Sequence, residues 1–284
     1  MKTSNLLIAI AATSFFLATS SCKKSDSTST SDKAEIATTL ELSTNLAIAD
    51  NLSEDATDIF LEAATAQGLG GEKPLDPFQS MGILGCASLT VTPLTGFPKS
   101  IVIDFGTGCG AIGGITRKGV IKIVLSDSLR KKGSTAVLTF DGYYLNGYKN
   151  EGTITWTNNS TGTIKEWERK IENGKITSPD GTYWLHSGVK QLVQTAGYNT
   201  PRNLLDDTFS ITGSSSVTNA NNVTRTSLIL EALEKKIVCE NISKGTIELK
   251  GPNHKAIIDF GNGDCDKIAT IAIDGGTAVT FLLR

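Results

Sequence analysis

The chain has 284 residues with 27 Lys and Arg against 29 Asp and Glu, a formal net charge of -2. That balance, with no basic stripe, excludes a nucleic-acid-binding surface. The length allows one large core or two modest ones, and the abundant Gly, Thr, Ser and Asn favour strands and turns over helices.

Residues 1–21 follow a secretory plan: Lys2 supplies the positive end, Leu6 to Leu17 an apolar segment, and Ala18-Thr19-Ser20-Ser21 a small-residue run. That apolar segment is too short for a comfortable membrane span. Ser20-Ser21-Cys22 resembles the lipobox of bacterial lipoproteins, although Thr19 stands where that pattern prefers Leu. The resemblance implies an acylated Cys22 holding the mature chain to a lipid bilayer at the outer membrane, on the cell surface or the periplasmic face. An ordinary cleaved signal whose cut falls near a cysteine is the alternative. Residues 22–33 are nearly all Lys, Ser, Thr and Asp and read as a solvated tether.

Residues 34–73 form the one helical segment the pattern supports. Ser53 is placed to cap a helix with Glu54 and Asp55 in its first turn, Ile59, Phe60 and Ala63 share one side, and Gly68 with Gly70-Gly71 stops it. Such a helix is expected to cover a face or edge of a sheet.

Residues 74–284 change to strands and turns. Gly152 to Thr157 alternates, placing Ile154 and Trp156 on one face. Thr135–Phe140, Thr208–Thr212, Thr246–Lys250 and Thr277–Leu283 are similar, and Val120–Leu125 is apolar enough to be buried on both faces. Asp141-Gly142, Asn146-Gly147, Asn173-Gly174, Asp180-Gly181 and Asp274-Gly275 supply turn dipeptides between them. The fold class is therefore mainly β, an extended antiparallel meander or sandwich with an N-terminal helical segment. One β domain is favoured over two pseudo-repeated ones.

An internal repeat marks this region. Ile103-Asp104-Phe105-Gly106-Thr107-Gly108 is followed by Cys109, and Ile258-Asp259-Phe260-Gly261-Asn262-Gly263 by Cys265. Cys86 precedes the first copy and Cys239 the second. Five cysteines less Cys22 leave four, which allow three pairings. Cys86 with Cys109 and Cys239 with Cys265 is favoured, because similar modules should close alike. A four-cysteine zinc site lacks any Cys-x-x-Cys spacing. In each repeat the carboxylate, Asp104 or Asp259, is expected to cap a turn that Gly106 and Gly108, or Gly261 and Gly263, allow to bend. Kinase-like use of Asp-Phe-Gly lacks the accompanying motifs. A calcium site at Asp259, Asn262, Asp264 and Asp266 lacks the loop spacing of a helix-loop-helix calcium site.

Catalytic candidates are few. The two histidines, His186 and His254, stand without a Gly-x-Ser-x-Gly elbow or a metal-binding partner. Glu166 and Glu168 are a carboxylate pair common on solvated strands. No cofactor is expected, and a secreted hydrolase is carried only as an alternative. Tyr143, Tyr144, Tyr148 and Trp156 are the candidate ligand surface, a platform of the kind that binds glycan or an envelope protein, with cross-strand packing as the competing role.

Pro98-Lys99-Ser100 leading into the first repeat, Thr116-Arg117-Lys118-Gly119, Thr139 to Gly147, Glu151-Gly152-Thr153 and the second repeat together resemble a family of uncharacterised Bacteroidota lipoproteins. The resemblance covers most of the mature chain and brings no known activity or ligand; with no catalytic constellation in the sequence, the expectation is an envelope-anchored binding or structural protein. The resemblance carries no functional residues across.

Overall fold

The computed structural model describes residues 30–74, 82–110 and 114–283. The signal segment, Cys22 and the tether up to residue 29 lie outside the described residues. The helical segment is longer than expected, one helix α1 over Thr30–Ala66, so the tether's last four residues belong to it. Ser53 is no cap. It sits mid-helix, where its hydroxyl donates back to the Ala49 carbonyl at 2.8 Å, as Ser43 does to Thr39.

Fourteen strands follow: β1 Ser88–Thr92, β2 Lys99–Asp104, β3 Cys109–Gly110, β4 Thr116–Leu125, β5 Thr135–Leu145, β6 Tyr148–Asn158 and β7 Glu166–Thr177, then β8 Tyr183–Ala196, β9 Thr208–Asn219, β10 Thr224–Lys236, β11 Lys244–Lys250, β12 Lys255–Asn262, β13 Ile268–Ile273 and β14 Val279–Leu282. They form one antiparallel meander in chain order, with the short β3 pairing beside β4 off the main path. Among the described residues no ladder joins β1 to β14.

The alternation in the strands between the two edges separates an apolar inner face from a more polar outer one, whereas the edge strands β1 and β14 bury no residue fully. Ile121, Ile123 and Leu125 on β4 are buried while Val124 is exposed, which corrects the expectation that this strand is covered on both faces. Ile154 and Trp156 on β6 share the inner face as expected. Two of the turn dipeptides do not turn. Asp141-Gly142 lies within β5 and Asn173-Gly174 within β7, both where the pairing register slips. These are bulges, which bend a strand and sharpen its twist. At the β4 slip, Gly119 has φ +83° and a Cβ there would lie 2.0 Å from the Gly142 carbonyl oxygen. Only glycine fits so close a crossing. Asn146-Gly147, with φ of 49° and 83°, is a true two-residue hairpin joining Leu145 to Tyr148.

The bent sheet rolls around α1. The helix is engaged from β4, β5, β7, β8, β9 and β10 by Arg117, Tyr143, Arg169, Lys190, Asn219 and Lys235. From Leu46 to Ala66 nearly every helix residue is buried, including Asp50, Asn51, Ser53, Glu54, Asp55, Thr57 and Asp58. The helix therefore does not cover a face from outside; it fills the interior. Phe60 meets Trp156 edge-on at 6.1 Å, and Trp156, Trp167 and Phe209 continue the aromatic core. Among the described residues no helix is long and apolar enough to cross a membrane.

Candidate binding cleft

A helix buried on all sides must satisfy every polar group it carries, because an isolated charge in so dry a place is prohibitively costly. The acidic residues of α1 meet most of that demand by pairing with cations placed on the inward phase of the strands, although one oxygen each of Asp50, Glu54 and Asp58 is buried without a hydrogen-bond partner. Asp50 pairs with Lys190 at 2.7 Å, Glu54 with Arg169 at 2.5 Å, Asp55 with Arg117 at 2.5 Å and Asp58 with Lys235 at 2.7 Å. Tyr143 donates its hydroxyl to Asp55 at 3.1 Å, and Arg169 also donates to the Thr57 hydroxyl at 3.2 Å.

Two of these carboxylates have diverged. Burial pushes Glu54 up, but Arg169, with Lys190 and Lys235 beyond it, brings it below the usual carboxylate range. Burial also raises Asp58, to about 7, because Lys235 opposes it alone while Asp55 and Glu54 repel its charge. One oxygen of Asp58, Oδ1, is buried and has no hydrogen-bond partner.

Asn51, Asp55, Asp58 and Glu62 follow the spacing of one helix face. That face is where the two cysteine-bounded units come together. Glu62 accepts the Ile83 and Leu84 N–H groups at 2.9 and 3.1 Å, capping a short 3-10 turn over Ile83–Cys86. Asn51 accepts the Ile242 N–H at 3.1 Å, and Lys235 donates to the Cys239 carbonyl at 2.6 Å. The disulfides pair Cys86 with Cys109 and Cys239 with Cys265, as similar units should. Between the units lies a cleft of about 430 Å³, lined by the buried Asp55, Asp58 and Arg117 and by Ile83, Ile115, Ile237 and Val238.

The repeat motif itself is a turn device. Asp104 Oδ1 accepts the Gly106 N–H at 2.7 Å and Asp259 Oδ1 accepts the Gly261 N–H at 2.8 Å. Gly106, Gly261 and Gly263 have positive φ, whereas Gly108 does not. Phe105 and Phe260, between these residues, are core side chains. The strand stops at Asp104 in the first copy but runs on to Asn262 in the second. Among the described residues no set of three or more metal-ligating side chains converges.

The four aromatics expected to form a surface do not form one. Tyr143 and Trp156 are each 1% exposed and belong to the core. Tyr148 is half-buried beside Trp184, and Tyr144 lies half-buried with Lys118 Nζ 4.1 Å from its ring centre. The alternation explains the split, since Tyr143 and Tyr144 are neighbours on one strand and must face opposite ways.

The histidines are apart from the cleft. His186 is buried on β8 against Gly174, and burial, aided by Lys190 and Arg169, lowers it to about 4. His254 Nδ1 lies 2.6 Å from Asp274 Oδ2, and the His254 backbone N–H donates to Glu35 at 3.0 Å, fastening the start of α1 to the turn before β12. Sequence reasoning passed over Asp50, Asp58, Arg117, Arg169, Lys190 and Lys235. For the four basic residues the signal was a cation sharing the phase of buried apolar neighbours, as Arg169 does with Trp167 and Ile171.

Comparison with protein-family models, with curated proteins and with solved structures finds no match to this chain.

Proposed function

We propose that this chain is an envelope-anchored binding module, tethered through an acylated Cys22 and receiving a small ligand in the cleft between its two disulfide-linked units. The observation that carries the reading is that cleft: it is concave, mostly apolar-walled, and has a few buried polar groups in its lining, as small-ligand sites do. The lipobox-like Ser20-Ser21-Cys22 supports the anchor and the outer-membrane address. A glycan platform loses support because Tyr143 and Trp156 are core residues. The hydrolase alternative gains none, since neither histidine lines the cleft.

Two measurements test this. Metabolic labelling with an alkyne fatty acid should mark the native chain and not Cys22→Ala, and protease shaving of sealed cells then reports which face of the membrane it occupies. For the cleft, a fragment library is screened by methyl NMR on the full chain carrying Cys22→Ala. Shifts clustering on Ile83, Ile115, Ile237 and Val238 are expected. Hits confined to other surfaces would overturn the binding-cleft reading.

A further inference from the structure

We propose that one end of the rolled sheet docks on an anionic lipid bilayer, with Ile164, Tyr198 and Leu205 entering the acyl boundary and Lys132, Lys165 and Arg202 meeting phosphate headgroups. The inference is independent of the cleft.

In an antiparallel meander alternate connections share an end. The connections β1–β2, β4–β5, β6–β7, β8–β9, β10–β11 and β12–β13 lie at one end of the sheet, and the others at the opposite end. Among the described residues, the exposed large apolar side chains carried on connections are Leu94, Phe97, Ile164, Tyr198, Leu205 and Val238. All of them fall at the first end. The opposite end has tight polar turns, as at Asn146-Gly147, Asp180-Gly181 and Asn221-Asn222. Exposed apolar residues scattered singly mean little, but so one-sided a distribution marks a contact surface.

Three neighbouring connections form the middle of that end. Strands lie about 4.8 Å apart, so successive connections begin about 10 Å apart. Hydrogen bonds hold the three together: Arg130 Nη2 donates to the Pro201 carbonyl at 3.0 Å, Asn158 Nδ2 to the Leu129 carbonyl at 2.8 Å, and the Gln194 N–H to the Lys165 carbonyl at 2.9 Å. On this platform Ile164, Tyr198 and Leu205 are 51%, 51% and 67% exposed.

The charges beside these tips select the partner. Arg130 is paired with Glu72 and Lys131 with Asp127, whereas Lys132, Lys165 and Arg202 have no carboxylate partner among the described residues. Of the remaining acids on the three connections, Asp206 accepts the Thr200 hydroxyl at 2.9 Å and Asp207 is buried. Apolar tips set among free cations suit acyl chains and phosphates together, and Tyr favours that boundary. Lys is depleted at protein interfaces, which argues against a protein partner. α1 begins at the opposite end, where Glu35 accepts the Asn253 and His254 N–H groups at 2.7 and 3.0 Å, so this contact is separate from any anchor at Cys22.

The test is vesicle titration and co-flotation of the chain from Lys23 onward, which keeps all of α1 and the sheet and drops the apolar leader, whose own affinity for lipid would mask the rim. Vesicles are phosphatidylcholine alone or mixed with phosphatidylglycerol, and a cooperative thermal transition checks the fold of every variant. The parent chain is expected to prefer the mixed vesicles, and Lys132→Glu with Lys165→Glu to lose at least about ten-fold in binding them, since each cation near an anionic surface contributes about five-fold. Ile164→Ser with Leu205→Ser should weaken binding by at least about ten-fold. Leu228→Ser, at an equally exposed position on the outer face of β10, should change nothing. If the charge and tip variants bind as well as the parent, or Leu228→Ser weakens binding as much as the tip pair, the inference falls. If the parent binds neither vesicle, it is overturned and the exposed tips pass to a protein partner.

Discussion

Glu54 on α1 and Arg169 on β7 meet at 2.5 Å with side chains 1% and 0% exposed, a fully enclosed ion pair between the helix and the middle of the sheet. Removing one member strands the other's charge in the interior. Glu54→Ala is therefore expected to cost about 3–5 kcal/mol in urea unfolding. The double change Glu54→Leu with Arg169→Met should recover most of that loss, because neither charge is then left alone. Equal losses in the single and double variants would show that shape, not charge, holds the pair.

Gly119 crosses β5 so closely that a methyl group would strike the Gly142 carbonyl, and its φ is +83°. Gly119→Ala should destabilise by at least about 1–3 kcal/mol. Gly96→Ala is the control: Gly96 has φ +75° with open space around it, so only the backbone cost applies. A Gly119 variant no worse than the Gly96 variant would remove the bend at β4 from the account of the roll.

The two histidines should titrate in opposite directions, and NMR can follow both without assignment crowding. His186 folds with its value lowered to about 4, so the unfolded chain takes up a proton that the folded chain refuses as pH falls below about 6.5. Stability is expected to drop between about 6.5 and 4, by roughly 3 kcal/mol in total from this group. His254 is raised by its hydrogen bond to Asp274, so its contribution is full below the unfolded value and fades as pH rises through the folded one. His254→Gln should flatten the alkaline limb of the stability profile and leave the acid limb to His186.

Replacing Cys239 and Cys265 together by Ser opens a loop spanning 26 residues. The loop-entropy argument gives a loss of about 3 kcal/mol. Cys86 and Cys109, 23 residues apart, should cost nearly as much. The readout is the shift of the thermal midpoint against the intact chain, with free-thiol titration confirming that the second bridge survives.

The β class, the meander and the pairing of cysteines were legible because they depend on local signals: alternation at Ile154 and Trp156, the Asn146-Gly147 hairpin, and a repeat that closes alike twice. The helix was legible as a helix but not as a core. Asp50, Glu54, Asp55 and Asp58 look solvated when read alone, and only the distant Lys190, Arg169, Arg117 and Lys235 make their burial tolerable. Asp141-Gly142 and Asn173-Gly174 have the chemistry of turns, and a bulge uses the same conformational freedom without reversing the chain. The cleft was invisible for a related reason. It is made by two units 130 residues or so apart, an approximate spacing that no local pattern reports.

Because α1 precedes every strand while its partners are dispersed over β4, β7, β8 and β10, an emerging chain cannot neutralise the helix in stages from one neighbouring hairpin. The hairpins are local and can zip in order, but enclosure demands a simultaneous fit of helix rotation and strand register. A helix turned by one residue, or a strand slipped by one, would set carboxylate against apolar side chain at several levels at once. The charged interior is therefore expected to penalise near-correct rolls more heavily than an all-apolar helix would, so that the variant Glu54→Leu with Arg169→Met should refold with more misassembled product than the native chain.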